Sequence, residues 1–384
     1  MRINLPSLAL VAGLLLAGAC GAPATPRAAQ APASGGAPTG SAPAAPASEP
    51  RSPALQAVVD GARAEGTFNL VWSDSSYGGA DGIQRIVDTL NRRYGLNLNV
   101  QFTPGPSMPE MGVRAAQELA AGRPASSDVY LGREANVKAL LEKSVLTPID
   151  WPSLSPNIQP DMVAPANVAV EVAVTIAGLT YNTNLVPPAK LPQTSADLLL
   201  PEWKGRIAGT PYATFFDILG SPQLWGPERT VSFTRQFADN VGGLLRCGES
   251  ERIISGEFSM LVFDCGGMDA RVWSRKGAPV SHAILSDAAA LLYYYVGVPK
   301  NAAHPNAATL FILESLTREG QDILWDTWGL DHVKVPGSHS KAEVDEAEAR
   351  GAKFVEANVQ FMMSYPEQET VRKQTQEILA RAGQ

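Results

Sequence analysis

From residue 67 to residue 142, segments of strand and helix character alternate, and this rhythm limits the fold more than any other feature of the chain. Residues 67–73 (TFNLVWS) read as a strand. After a polar turn at 74–79, Ile83, Ile86, Val87, Leu90 and Tyr94 recur at helical spacing. Residues 97–102 form a second expected strand, 111–121 a helix, 127–131 (SDVYL) a third strand and 134–142 a helix. Strands that alternate with helices of this length predict a mainly parallel sheet flanked by helices.

Residues 167–176 alternate strictly, with Val168, Val170, Val172, Val174 and Ile176 set against Asn167, Ala169, Glu171, Ala173 and Thr175. A period of two predicts a strand with two unlike faces. It runs into 178–217, a strand, a Pro-rich turn, a short helix at 195–199 and a further strand at 206–209. A second α/β set follows, with helices at 215–223 and 228–237, an apolar strand at 258–263 (FSMLVF) and a helix at 268–276. Residues 288–298 (AAALLYYYVGV) form a long apolar strand that leads into mostly helical sequence. The expected architecture is α/β with two lobes, 54–175 plus 290–384 and 176–289, joined by two extended crossings. Two crossings make a hinge, and the gap between the lobes makes a cleft. Ligands of open α/β sheets bind outside the carboxyl ends of the strands, so the loops after the strands carry the candidate residues.

The first 53 residues stand apart from this pattern. Arg2, the apolar run 8–16 and the small residues Ala17-Gly18-Ala19 before Cys20 have the form of an export signal over residues 1–19. Small residues ending at a cysteine resemble a bacterial lipobox, which implies acylation of Cys20 and attachment to a membrane surface. An ordinary cleaved signal is the alternative. Residues 20–53 are almost entirely Ala, Pro, Gly, Ser and Thr, too poor in apolar surface to offset the entropy of ordering, and read as a disordered tether. Cys247 and Cys265 remain as an even pair, which in an oxidising compartment reads as a disulfide, with two buried thiols as the alternative. A net charge of -7 with no local Lys/Arg cluster argues against a nucleic-acid partner.

The stretch GLTYNTNLV, followed by DLLLPEWKGRI and a Thr-Pro turn, resembles the extracellular solute-binding proteins of ABC importers, type 2 subgroup, which includes the ferric-iron-binding proteins. SDVYLGREANVKALLEKSVLTPI, SGEFSMLVF and VPKNAAHPNAATLFILESLTREGQ extend the similarity over most of residues 54–328. The resemblance implies a two-lobed type II periplasmic-binding-protein fold outside the cytoplasm. It further implies a monomeric receptor, not an enzyme, with no cofactor, that delivers a small solute to a membrane permease and ATPase. A sensory receptor of the same fold is the alternative, and a hydrolase a more distant one. For a hydrolase the sequence offers no Gly-x-Ser-x-Gly elbow, and His282, His304, His332 and His339 all lie outside the expected cleft loops.

In the ferric proteins the metal is held by a His, a Glu and a Tyr pair. The matching positions here are Ser76, Arg133 and Gly266-Gly267. A guanidinium repels a hard cation that needs carboxylate, phenolate or imidazole ligands, so an iron site of that kind is rejected. Ser73, Ser75, Ser76 and Tyr77 instead precede a helix start, which favours anions. Arg133 adds a fork for carboxylate or phosphate. On the other lobe Thr210, Tyr212 and Thr214 precede another helix start, Gly266 and Gly267 permit close backbone approach, and Tyr181 lies on the outward crossing. These groups together favour a small anion such as a carboxylate, phosphonate or phosphate ester. Local readings stand beside these: helix capping for the serines, an ion pair with Glu134 or Asp128 for Arg133, and for Asp264 either a substrate amine or a cap on the next helix.

Overall fold

A computed structural model of the chain describes residues 51–382. The leader, Cys20 and nearly all of the proposed tether lie outside the described residues. The body begins with the helix Pro53–Glu65, which Ser52 caps by accepting from the Leu55 amide and which Gly66 ends in a left-handed conformation.

The first lobe is built on β1 (Thr67–Trp72) and β2 (Asn99–Pro104), paired in parallel through the helix Gly79–Tyr94. Alternate burial along β1 sends Phe68, Leu70 and Trp72 inward, where they meet Ile83, Ile86 and Leu90 of that helix in one core. Beside it lies a four-stranded sheet of β3 (Tyr130–Arg133), β4 (Val170–Ile176), β10 (Ala290–Gly297) and β11 (Val355–Ala357). The second lobe is a five-stranded sheet in the order β7 (Gly243–Leu244), β6 (Ile207–Gly209), β8 (Met260–Val262), β5 (Leu179–Asn182), β9 (Val280–Ala283). It has its own core around Leu179, Trp203, Phe216, Phe237 and Val262.

Pairing is parallel within the β-α-β units and antiparallel where a crossing strand meets β3, β8 or β9. The reason is direction: β4 and β5 carry the chain outward, and β10 carries it back. The two crossings also run beside each other. Thr175 Oγ1 donates to the Leu292 carbonyl at 3.1 Å, and the Ala177 amide to the Ala290 carbonyl at 2.9 Å. Gly178 stands between β4 and β5, where a Cβ would lie 2.3 Å from the Ala283 carbonyl oxygen. A side chain there would push the second sheet off the crossing.

Two expectations need correction. β4 is buried along its whole length, because its polar face is covered as well as its valine face. Glu171 on that face, 1 % exposed, accepts from Tyr295 Oη at 2.7 Å and lies 3.1 Å from His332 Nε2, so its charge is satisfied inside the protein. The second correction concerns the chain end. Residues 290–384 do not all belong with the first lobe, since the helix Gln368–Leu379 packs on the second-lobe helices Phe216–Leu219 and Gly226–Asn240. Its apolar residue Leu379 joins the second core, whereas Val359, twenty residues earlier, belongs to the first.

Candidate functional site

Three strand-end loops border the space between the lobes, and each contains a buried aromatic residue at positive φ. They are Tyr77 after β1 (φ 58°), Phe215 after β6 (φ 66°) and Phe263 at the end of β8 (φ 47°). Such backbone costs about 1–3 kcal/mol per residue and persists only where surrounding packing over-determines it. Here the packing is aromatic. The Tyr77 ring lies 5.0 Å from Trp72 and 5.3 Å from Trp328, and Phe263 meets Phe216 edge-on at 4.9 Å. Strained loops held by deep anchors hold the polar residues beside them in fixed positions.

Tyr77 therefore does not face a solute. It is fully buried, and its hydroxyl has no hydrogen-bond partner. Ser76 is buried too and lies 2.9 Å from Ser73, Oγ to Oγ, while Ser75 is exposed. None of the three serines caps the helix Gly79–Tyr94, whose N-cap residue is Gly78. That helix start is covered by Thr327, which donates to the Tyr77 carbonyl at 3.2 Å and lies where Cβ atoms on Gly78 and Gly82 would fall. The anion site expected there is thus filled by protein.

Arg133 is the last residue of β3, two places beyond the strand's expected end, and its cross-strand partner is Tyr294. Directly opposed residues share one face of a sheet, so the guanidinium lies over the Tyr294 ring at 4.7 Å. Tyr294 in turn lies 4.7 Å from Trp328. Alternation along β10 separates Tyr294 from Tyr293 and Tyr295, which are buried on the other side. Arg133 Nε is 3.3 Å from Glu134 Oε2, the ion pair weighed as an alternative. Asp128 is engaged elsewhere, accepting from the Asn69 and Ala303 amides. Burial pushes the Glu134 carboxyl up, and Arg133 opposes the rise.

On the second lobe, in the helix Phe216–Leu219, stands Asp217, a residue that sequence reasoning missed. Its Oδ1 accepts from the Ile218 amide at 3.0 Å and its Oδ2 from Gln368 Nε2. Burial and then the Glu134 charge push its carboxyl up to about 7, with Gln368 and Arg133 pulling the other way. Arg133 and Glu134 of the first lobe and Asp217 of the second therefore share one electrostatic environment.

The remaining second-lobe candidates serve mainly the protein itself. Thr210 is buried and donates to the Tyr212 carbonyl at 3.1 Å, Tyr212 is exposed and Thr214 half-buried. The loop is clasped by Gln376, whose Oε1 accepts from the Ala213 amide at 3.0 Å. The Asp264 carboxylate accepts from Thr180 Oγ1 and from the Gly266 and Gly267 amides at 2.9 and 3.1 Å. It organises the turn before the helix Met268–Arg275, as the capping alternative has it, and is not free for a substrate amine. Gly266 (φ 83°) and Gly267 (φ 77°) do allow close approach, but of protein. Cβ atoms there would lie 2.3 Å from Thr175 Cβ and 2.7 Å from the His282 ring. Cys265, in the same turn, is disulfide-bonded to Cys247 with Cα atoms 5.8 Å apart.

Tyr181 is half-buried at the rim of a separate pocket of about 570 Å³, together with Arg271, His282, Trp325 and Glu343. Arg271 ties the lobes there, donating to the Gly266 and Gly329 carbonyls at 2.9 and 3.1 Å and to Glu343 at 2.8 Å. Burial opposes ionisation of Glu343, but Arg271 overrides it and brings the carboxyl down to about 2. No sequence signal joins these residues, because they come from segments far apart in the chain. Among the described residues no three His, Cys, Asp or Glu side chains cluster as metal ligands.

No family model matches the chain. A stretch of 134 residues is 27% identical to the Fe(3+)-binding periplasmic protein of Serratia marcescens, covering 34% of this chain and 38% of that protein, so the match spans about two fifths of the relative's length. Solved structures align more widely. The substrate-binding protein of an ABC transporter from Agrobacterium tumefaciens superposes with a TM-score of 0.66 at 16% identity, over 82% of this chain and 94% of its own. Iron-bound HitA from Pseudomonas aeruginosa superposes with a TM-score of 0.63 at 16% identity, over 81% and 99%. With three sheets divided between two lobes, a large core in each and a paired-strand hinge between them, the chain has the two-lobed type II fold of the periplasmic substrate-binding proteins of ABC transporters.

Proposed function

We propose that this chain is the extracytoplasmic solute-binding component of an ABC importer, which takes a small solute between its lobes and passes it to a membrane permease and ATPase. The observation that carries the reading is the arrangement at the cleft. Two lobes with separate cores meet over a hinge of adjacent strands, and Arg133 stands at the end of a first-lobe strand with its guanidinium over the Tyr294 ring. Two lobes that can part about a hinge are suited to a ligand that binds between them. The solute carries a carboxylate, phosphonate or phosphate ester that meets Arg133. The protein acts as a monomer held to a membrane through a lipid on Cys20. No helix among the described residues is long and apolar enough to cross a membrane, so in this reading attachment comes from that lipid.

The test is a thermal-shift screen of anionic, cationic and neutral solutes, with small-angle scattering on every hit. A solute at 100 times its Kd stabilises the protein by about 2.7 kcal/mol and shrinks the particle as the lobes close. Arg133→Ala should abolish the shift for an anionic hit. A hit that leaves the radius of gyration unchanged, or an Arg133→Ala protein that binds it as before, would contradict the reading.

A further inference from the structure

We infer that the cavity of about 570 Å³ bordered by Tyr181 and Arg275 is a second ligand site, separate from Arg133, for an organic anion with an apolar body. The inference goes beyond the solute-receptor reading and does not depend on it. Size is the first ground, since small-molecule sites enclose about 300–1,000 Å³. Both lobes wall the space. Tyr181 and Arg275 belong to the second lobe. Trp325 and Glu343 stand on the helices Arg318–Trp328 and His339–Ala349, which pack into the first core through Leu324 and Val344.

Charge is the second ground. Three arginines and two glutamates line the cavity, an excess of one positive charge. Both glutamates are already engaged, Glu343 by Arg271 at 2.8 and 2.5 Å and Glu346 by Arg350. Arg271 is spent in turn, because its Nη1 hydrogens go to the Gly266 and Gly329 carbonyls. Arg275 carries the excess. Its Nη2 donates to the Trp325 and Asp326 carbonyls and its guanidinium lies over the Trp325 ring at 5.3 Å, which fixes it in place. Nε and both Nη1 hydrogens are left without a partner among the described residues, and the Asp326 carboxylate lies 3.4 Å from Arg85 instead. An anchored guanidinium with unspent donors at a cavity is suited to two-point contact with a carboxylate or phosphate.

The rest of the lining sets the body of the ligand. Leu191, Pro192 and Ile284 present apolar surface to the same space, which a bare inorganic anion would leave uncovered. Because the walls belong to different lobes, opening the hinge would draw them apart. A ligand in contact with both therefore favours the closed form and adds to the tie that Arg271 already makes between them.

The experiment titrates phenyl phosphate, phenylacetate, benzyl alcohol and inorganic phosphate into the purified protein by calorimetry, and repeats the series with Arg275→Gln and Arg133→Ala. Arg275 is exposed and belongs to neither core, so its replacement leaves the fold in place. The two aromatic anions should bind the wild type at least tenfold more tightly than benzyl alcohol or inorganic phosphate. Arg275→Gln should weaken them at least tenfold, whereas Arg133→Ala should leave them within about threefold. Inorganic phosphate that binds as tightly as phenyl phosphate would reduce the site to one for adventitious ions and overturn the inference. So would aromatic anions that do not bind at millimolar concentration, or that Arg275→Gln holds as well as the wild type. Binding that Arg133→Ala abolishes and Arg275→Gln spares would place the anion in the cleft, which overturns this inference and leaves the receptor reading standing.

Discussion

Replacing Asp217 by Asn should make the protein more stable in alkali but not in acid, relative to the wild type. Burial and the Glu134 charge raise the Asp217 carboxyl from its ordinary value near 3.8 to about 7. Between those values the folded state holds the proton more tightly than the unfolded chain, so this group's contribution falls as the pH rises and is constant above about 7. A shift of about three units is worth at most about 4 kcal/mol, and partial solvent access reduces this to about 1–3 kcal/mol. Asn resembles the protonated acid in shape and carries no such penalty. It gives up one of the two accepted bonds, from Ile218 or Gln368, at a cost of about 1 kcal/mol. Near pH 5 the variant should therefore match the wild type or fall slightly below it. Near pH 8.5 its standing should improve by about 1–3 kcal/mol, which for a domain of this size is roughly 2–8 °C in Tm. Differential scanning fluorimetry of both proteins at the two pH values measures that difference of differences, and titrations common to both cancel. An offset between variant and wild type that is the same at both pH values would refute a raised Asp217 carboxyl.

Two other substitutions probe the loops that border the cleft. Gly266→Ala places a methyl 2.3 Å from Thr175 Cβ at a residue with φ 83°, and should cost about 2–4 kcal/mol in urea unfolding; a midpoint equal to the wild type's would show that the turn does not press on the crossing strand. Tyr77→Phe removes a buried hydroxyl that has no partner and should be neutral or stabilising by up to about 1 kcal/mol, so a loss of more than that would reveal a hydrogen bond at this position.

Local signals revealed much of the architecture. The helical spacing from Ile83 to Leu90, the strict alternation of 167–176 and the apolar run at 288–298 all correspond to elements found near those positions. Contacts between distant segments were not visible in the same way. Tyr77 reads as part of a polar turn because its neighbours are serines and glycines. It enters the core only because Phe311 and Trp328, far along the chain, complete its pocket. The same holds for the Gly266-Gly267 pair. A need for close approach is legible in two adjacent glycines, but Thr175 and His282, not a solute, are what approaches.

The charges at the cleft follow the same logic one step further. Arg133 could be picked out because it stands at the end of a strand, and its neighbour Glu134 is adjacent in the sequence. Asp217 could not, since a single aspartate after two phenylalanines matches no motif. Its significance arises from the helix start it occupies in one lobe, from Gln368 in a C-terminal helix that returns to that lobe, and from Glu134 in the other. A residue whose surroundings come from segments so far apart leaves no periodicity or spacing behind. On the proposed receptor reading, Arg133→Ala should abolish solute binding while leaving both cores intact, because the Arg133 side chain does not contribute to the apolar clusters that hold the lobes.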